Sequence, residues 1–173
     1  MPVGDTDYAA TWDITALASQ GDGISANGIH QKDLVAEITE FELNFNSILT
    51  KLDADSGVTE TDYNASFAVD LNDTVVGSLG MSQDFLVSFL ESFVDNFNLA
   101  LAQLDTDGGV TDTDYAATWT VTDVVNAGSA FTIAANKNVA VDNRGFNQGA
   151  LYDLLNSIVT NVAGLNAKLD ADA

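Results

Sequence analysis

Cysteine is absent from this chain of 173 residues, which removes disulfides and thiol nucleophiles and leaves the redox compartment open. Histidine occurs once, at His30, so Ser-His-Asp catalysis has almost no raw material. Basic residues number 5 against 26 acids, of which 21 are Asp and 5 are Glu, for a formal charge of −21. A field of that sign repels phosphate backbones and anionic lipid, which argues against nucleic acid or a membrane surface as partner. No apolar run approaches the roughly 18 residues that span a bilayer, and Met1-Pro-Val-Gly-Asp5 shows neither the basic nor the apolar region of a secretory signal. A phosphate loop, a dinucleotide fingerprint, a Gly-x-Ser-x-Gly elbow and His-Glu-x-x-His are missing too, so no enzyme is expected. Hydrophobic residues still make up 46 %, enough to build a core.

What the chain does have is repetition. Leu52-Asp-Ala-Asp-Ser-Gly-Val-Thr-Glu-Thr-Asp-Tyr-Asn-Ala-Ser-Phe67 returns as Leu104-Asp-Thr-Asp-Gly-Gly-Val-Thr-Asp-Thr-Asp-Tyr-Ala-Ala-Thr-Trp119. The second half of that phrase stands at Val3–Trp12 and the first half at Leu169–Ala173. Self-similarity of this kind marks a repeat architecture. The chain divides into one domain of three units, residues 1–57, 58–109 and 110–173.

Each unit carries a helix of the same length. Apolar residues fall at Leu34, Ile38, Phe41, Phe45, Ile48 and Leu52, and at Leu86, Leu90, Phe93, Phe97, Ala100 and Leu104. The third set is Leu151, Leu155, Ile158, Val162, Leu165 and Leu169. Alternating steps of four and three make a heptad stripe, the signature of helices packed lengthwise on one another. His30, Ser82 and Asn147 occupy equivalent N-cap positions, and Ile29, Met81 and Phe146 precede them as hydrophobic staples for Leu34, Leu86 and Leu151. Asn44, Asn96 and Asn161 recur beside the stripe, either as an asparagine layer fixing register or as a solvated flank.

The connectors begin with alternating apolar residues: Trp12–Leu17, Phe67–Leu71 and Trp119–Val125. That pattern predicts short strands, and the long third connector adds a hairpin around Asn136-Lys137-Asn138. The expected fold is therefore α+β, three repeats each with a short strand region and a helix of about 22 residues. The helices pack as a parallel pseudo-threefold bundle whose two chain ends meet to close a ring, with a head-to-tail stack as the alternative.

The acidic junction admits two readings. Alternate aspartates followed by glycine resemble calcium loops, which makes Asp53, Asp55, Asp105 and Asp107 the candidate cation ligands and Ca²⁺ the candidate ion. The EF-hand pattern itself fails, because position 12 is Asn64 in one copy and Ala116 in the other. The structural reading has Gly57 and Gly109 ending the long helices. Thr59…Asp62 and Thr111…Asp114 then form capping boxes that open a short helical turn anchored by Tyr63 and Tyr115. Asp53 and Asp105 sit unfavourably against the dipole of the helix they follow, so a cation or a lysine is their expected partner. Asp55-Ser-Gly57 looks like an aspartic-protease triplet, but its counterpart Asp107-Gly-Gly109 lacks the hydroxyl.

The phrase Leu-Asp-Ala-Asp-x-Gly-Val-Thr-Asp-Thr-Asp-Tyr-Ala-Ala-Thr resembles a segment that recurs in structural proteins of tailed bacteriophages. The match covers residues 3–12, 52–67, 104–119 and 169–173. The resemblance implies a virion component without catalytic residues, located in the particle and bound to other virion proteins. Joined to the acidic repeat architecture, it suggests a capsid decoration or cement protein bound to the major capsid protein. A tail, neck or fibre component and a calcium-dependent adhesion module are the alternatives.

Overall fold

The heptad stripes become three α-helices of 24 residues, each about 36 Å long. In chain order the helices are α1 (Tyr8–Trp12), α2 (Gln31–Ala54), α3 (Tyr63–Phe67), α4 (Gln83–Thr106), α5 (Tyr115–Trp119) and α6 (Gln148–Ala171). The computed structural model describes residues 3–4, 6–12, 24–25, 28–29, 31–71, 83–119, 121, 141–142, 145–146 and 148–172. The proposed caps His30, Ser82 and Asn147, the side chains of the staple residues, and the hairpin around Asn136–Asn138 lie outside the described residues.

Burying the stripe is what holds the long helices together. All eighteen stripe residues are buried, and most are fully so. The ring of Phe41 lies 5.6 Å from that of Phe93, and Phe45 lies 5.7 Å from Phe97. Both pairs join matching heptad positions in ascending order, so α2 and α4 run in the same direction and in register. Phe45 also reaches 5.1 Å from Phe93, the interdigitation of knobs between adjacent layers. The last turn of α6 enters the same hydrogen-bonded cluster as the last turns of α2 and α4, which gives it their direction. α4 is the most apolar of the three, long and apolar enough in composition to cross a bilayer, yet its stripe is buried here within the protein.

The α+β expectation is overturned, because the described chain is helical. Extended pairing among the described residues is limited to two antiparallel ladders, Ile24–Ser25 with Gly28–Ile29 and Val141–Asp142 with Gly145–Phe146. The strands expected at Phe67–Leu71 and Trp119–Val125 do not form where the chain is described: Phe67 and Trp119 end short helices, and Val69, Leu71 and Val121 are unpaired by any strand. Residues 13–17 and 122–125 lie outside the described residues.

The physical reason is that side chains replace a strand partner. Asn46 donates to the Val69 carbonyl at 2.7 Å and accepts the Val69 N–H at 2.9 Å. Glu42, one turn earlier, accepts the Leu71 N–H at 2.9 Å. In the second unit Asn98 clamps Val121 the same way, at 2.8 and 2.9 Å. Val69, Leu71 and Val121 thus bury their side chains while a helix satisfies their backbone.

Polar residues interrupt the apolar flanks at two positions of the repeat. Asn44 and Asn161 do not build an asparagine layer, since each donates to a carbonyl four residues back on its own helix. Glu37 stands where the other units have the buried Phe89 and Leu154, and it is itself 6 % exposed.

Candidate functional site

The repeated phrase folds into three joints at the C-terminal end of the bundle, and each joint begins with an unusual helix cap. A helix of five residues leaves most of its N–H groups without internal partners. The aspartate on the last turn of a long helix supplies them. Asp53 accepts the N–H groups of Tyr63 and Asn64 at 2.7 and 3.0 Å. Asp105 accepts those of Tyr115 and Ala116 at 2.6 and 3.0 Å. Asp170 accepts those of Tyr8 and Ala9 at 2.7 and 3.0 Å, across 162 residues of sequence for the first bond. The chain therefore closes on itself: α1 takes the place on α6 that α3 has on α2 and α5 has on α4.

A second aspartate, two residues further on, binds the tyrosine of the short helix that precedes its own long helix in the same unit. The buried hydroxyl of Tyr8 donates to Asp55 at 3.0 Å and that of Tyr63 to Asp107 at 3.1 Å, while Tyr115 donates to Asp172. The same carboxylates gather backbone donors. Asp55 accepts the N–H groups of Gly4 and Gly57 at 2.6 and 2.8 Å. Asp107 accepts those of Thr59, Glu60 and Gly109 at 2.9, 3.0 and 2.8 Å. Gly109 packs so closely on the Gly57 carbonyl and Thr59 that a methyl group there would collide with backbone. Gly164 is held open in the same way for the ring of Trp119.

The outer edge of each joint carries a weaker polar contact. Lys51 pairs with Asp7 at 3.6 Å, Gln103 donates to Asp62 at 2.9 Å, and Lys168 pairs with Asp114 at 3.7 Å. Lys168 also binds Asp112 and lies 3.4 Å from Asp172. Its hydrogen bond with Asp112 raises the Lys168 ammonium and lowers the Asp112 carboxyl.

Electrostatics fixes the protonation of the inner groups. Burial opposes ionisation of Asp107, but the N–H groups of Glu60, Thr59 and Gly109 and the Tyr63 hydroxyl outweigh it and hold the carboxyl below its ordinary value. Burial first, then the neighbouring carboxylate, pushes Tyr63 and Tyr115 far above the usual phenol range. The Tyr63–Asp107 pair is thereby locked as phenol donor and carboxylate acceptor.

The four aspartates expected to hold a cation are thus placed as acceptors for N–H and O–H groups, in two roles. Asp53 and Asp105 cap the short helix that opens the next unit; Asp55 and Asp107 bind the turn and tyrosine at the start of their own unit. The structure splits both expected pairs between joints, Asp53 sharing one with Asp107, Asp105 with Asp172 and Asp55 with Asp170; among the described residues neither Asp53 nor Asp105 meets a lysine. Among the described residues, no group of three or more His, Asp or Glu side chains is disposed to hold a metal ion. The expected capping box is corrected as well: Asp62, the residue before α3, makes no side-chain cap bond, and the cap comes from Asp53, ten residues back.

Asp170, Asp172, Lys51 and Lys168 complete the joints and were not singled out by sequence reasoning. The signal for the two aspartates was present, since Leu169-Asp-Ala-Asp172 repeats Leu52-Asp-Ala-Asp55. Asn46 and Asn98 were also missed, although they occupy the same helical position, 16 residues past the cap position in each unit.

No family model, no curated protein and no solved structure matches this chain.

Proposed function

We propose that this chain is a non-enzymatic structural protein of a tailed-bacteriophage virion, a decoration or cement subunit that stabilises the capsid through protein–protein contacts. The observation that carries the reading is the fate of the repeated phrase. Its first aspartate caps the short helix of the next unit, and its tyrosine and the next copy's second aspartate lock that helix to the long helix that follows, which makes the phrase an assembly element. A ring closed by such joints presents a fixed acidic surface, suited to a basic face on a shell and repelled by DNA. A subunit bound only to the assembled shell stabilises that shell by linkage.

Co-sedimentation tests this. The purified protein, mixed with assembled shells emptied of DNA or with free duplex DNA, is expected in the shell pellet alone. Its retention should weaken as salt rises, and loaded shells should melt at a higher temperature. Recovery on DNA and none on shells overturns the proposal.

A further inference from the structure

We propose that the cleft between α6 and α2 is a receptor for the segment Thr6–Trp12 of a second copy of this chain, so that copies link by exchanging α1. The inference is independent of the virion reading, since it rests on one peptide being recognised in two places. Thr6-Asp-Tyr-Ala-Ala-Thr-Trp12 and Thr113-Asp-Tyr-Ala-Ala-Thr-Trp119 are identical over seven residues. Both occupy the same kind of cleft: a capping aspartate at one wall, Asp105 or Asp170, and a hydroxyl-binding aspartate at the other, Asp172 or Asp55. A lysine meets the aspartate before the tyrosine in each, Lys168 with Asp114 and Lys51 with Asp7.

What differs is the tether. Eight residues of backbone join α4 to α5, and eight join α2 to α3. No such short link joins α6 to α1, which connects to α2 through residues 13–30. To the α6–α2 cleft, α1 is a ligand whose local supply is set by that tether. The bonds it makes are the same whether it arrives from its own chain or from another. The cis form then wins only by effective concentration, on the order of millimolar for a tethered segment. With the Ile24–Ser25/Gly28–Ile29 ladder kept, the eleven residues 13–23 span at most about 36 Å, enough to place α1 on a neighbouring copy. Reciprocal exchange closes as a two-fold dimer without any new surface. Linkage in trans is thus favoured where copies are crowded.

The absence of cysteine makes a clean test possible. One full-length copy carries Ala10→Cys and a first tag; another carries Ala167→Cys and a second tag. Both substitutions fall on exposed positions of α1 and α6. The two are mixed at millimolar concentration, held a few degrees below the melting midpoint, cooled, and treated with a short thiol-to-thiol cross-linker. The expected product is a covalent heterodimer bearing both tags, rising with concentration during the hold. An excess of a synthetic peptide spanning residues 3–12 should reduce it at least twofold. A chain carrying both cysteines gives the cis product in dilute solution and verifies that the pair is within reach. Formation of the cis product with no heterodimer at any concentration overturns the proposal, as does a heterodimer yield that the peptide leaves unchanged.

Discussion

Tyr8 and Asp55 are joined by a buried hydrogen bond of 3.0 Å, and Tyr63 and Asp107 by its counterpart at 3.1 Å. Each pair ties a short helix to the end of the long helix that follows it in the chain. Both carboxylates also hold backbone donors. Tyr63→Phe keeps the ring and removes the hydroxyl, leaving Asp107 one donor short. Urea unfolding should show a loss of about 1–3 kcal/mol, with Tyr8→Phe similar in size. An unchanged midpoint for both variants would contradict the role given to these pairs.

The cap on α3 comes from Asp53, so the distant aspartate should matter more than the adjacent threonine of the expected capping box. Asp53→Ala is expected to cost about 0.5–2 kcal/mol and Thr59→Ala less than about 0.5. Thermal melts of the two variants decide the matter, and the reverse order would restore the local box.

Asn46 holds both backbone groups of Val69. Asn46→Ala leaves that N–H and C=O without their partner at a residue whose side chain is buried, at a cost of about 1–3 kcal/mol. Asn98→Ala should lose a similar amount, and hydrogen exchange should rise at the Val69 and Val121 amides in the respective variants. Protection that survives both substitutions would show that another group satisfies these amides.

Among the described residues, Glu37 is the one buried carboxyl whose site is apolar in both other units. Burial, and after it the charge of Glu40, raises its pKa from 4.5 to about 7. The folded state therefore holds a proton between about 4.5 and 7 that the unfolded chain releases. Stability contributed by this group is full below about 4.5 and is lost as pH rises through about 7, an effect of roughly 2–3 kcal/mol. Relief of repulsion among the other acids adds to the trend, so the reading is the difference between wild type and Glu37→Gln. That difference should change across this window, and Glu37→Leu should be the more stable protein at pH 8. A constant difference between pH 4 and 8 would place the titration elsewhere.

Sequence alone revealed what packing dictates. Leu34 to Leu52 and their two counterparts announce their helices because a heptad stripe has one physical meaning, and all of it is buried. The short helices were legible through the recurrence of Asp-Tyr-x-Ala, though not through their caps. Val69 and Leu71 were misread because alternate burial looks the same whether the amide partner is a strand or a side chain 23 and 29 residues earlier. Asp53 was misjudged for a related reason. The dipole of α2 disfavours it, but the N-terminus of α3 lies within hydrogen-bonding reach and reverses the sign. Pairings of that range leave no local pattern to read.

The claim that the chain closes into a ring of three like joints is most directly tested by distances between spin labels. Cysteine pairs are placed at exposed equivalent positions, Thr50 with Ala65, Ala102 with Ala117, and Ala10 with Ala167. Double electron–electron resonance on dilute protein should give three narrow distributions with the same mean. A broad or much longer distribution for Ala10–Ala167, beside two short ones, would show an open chain in place of a ring.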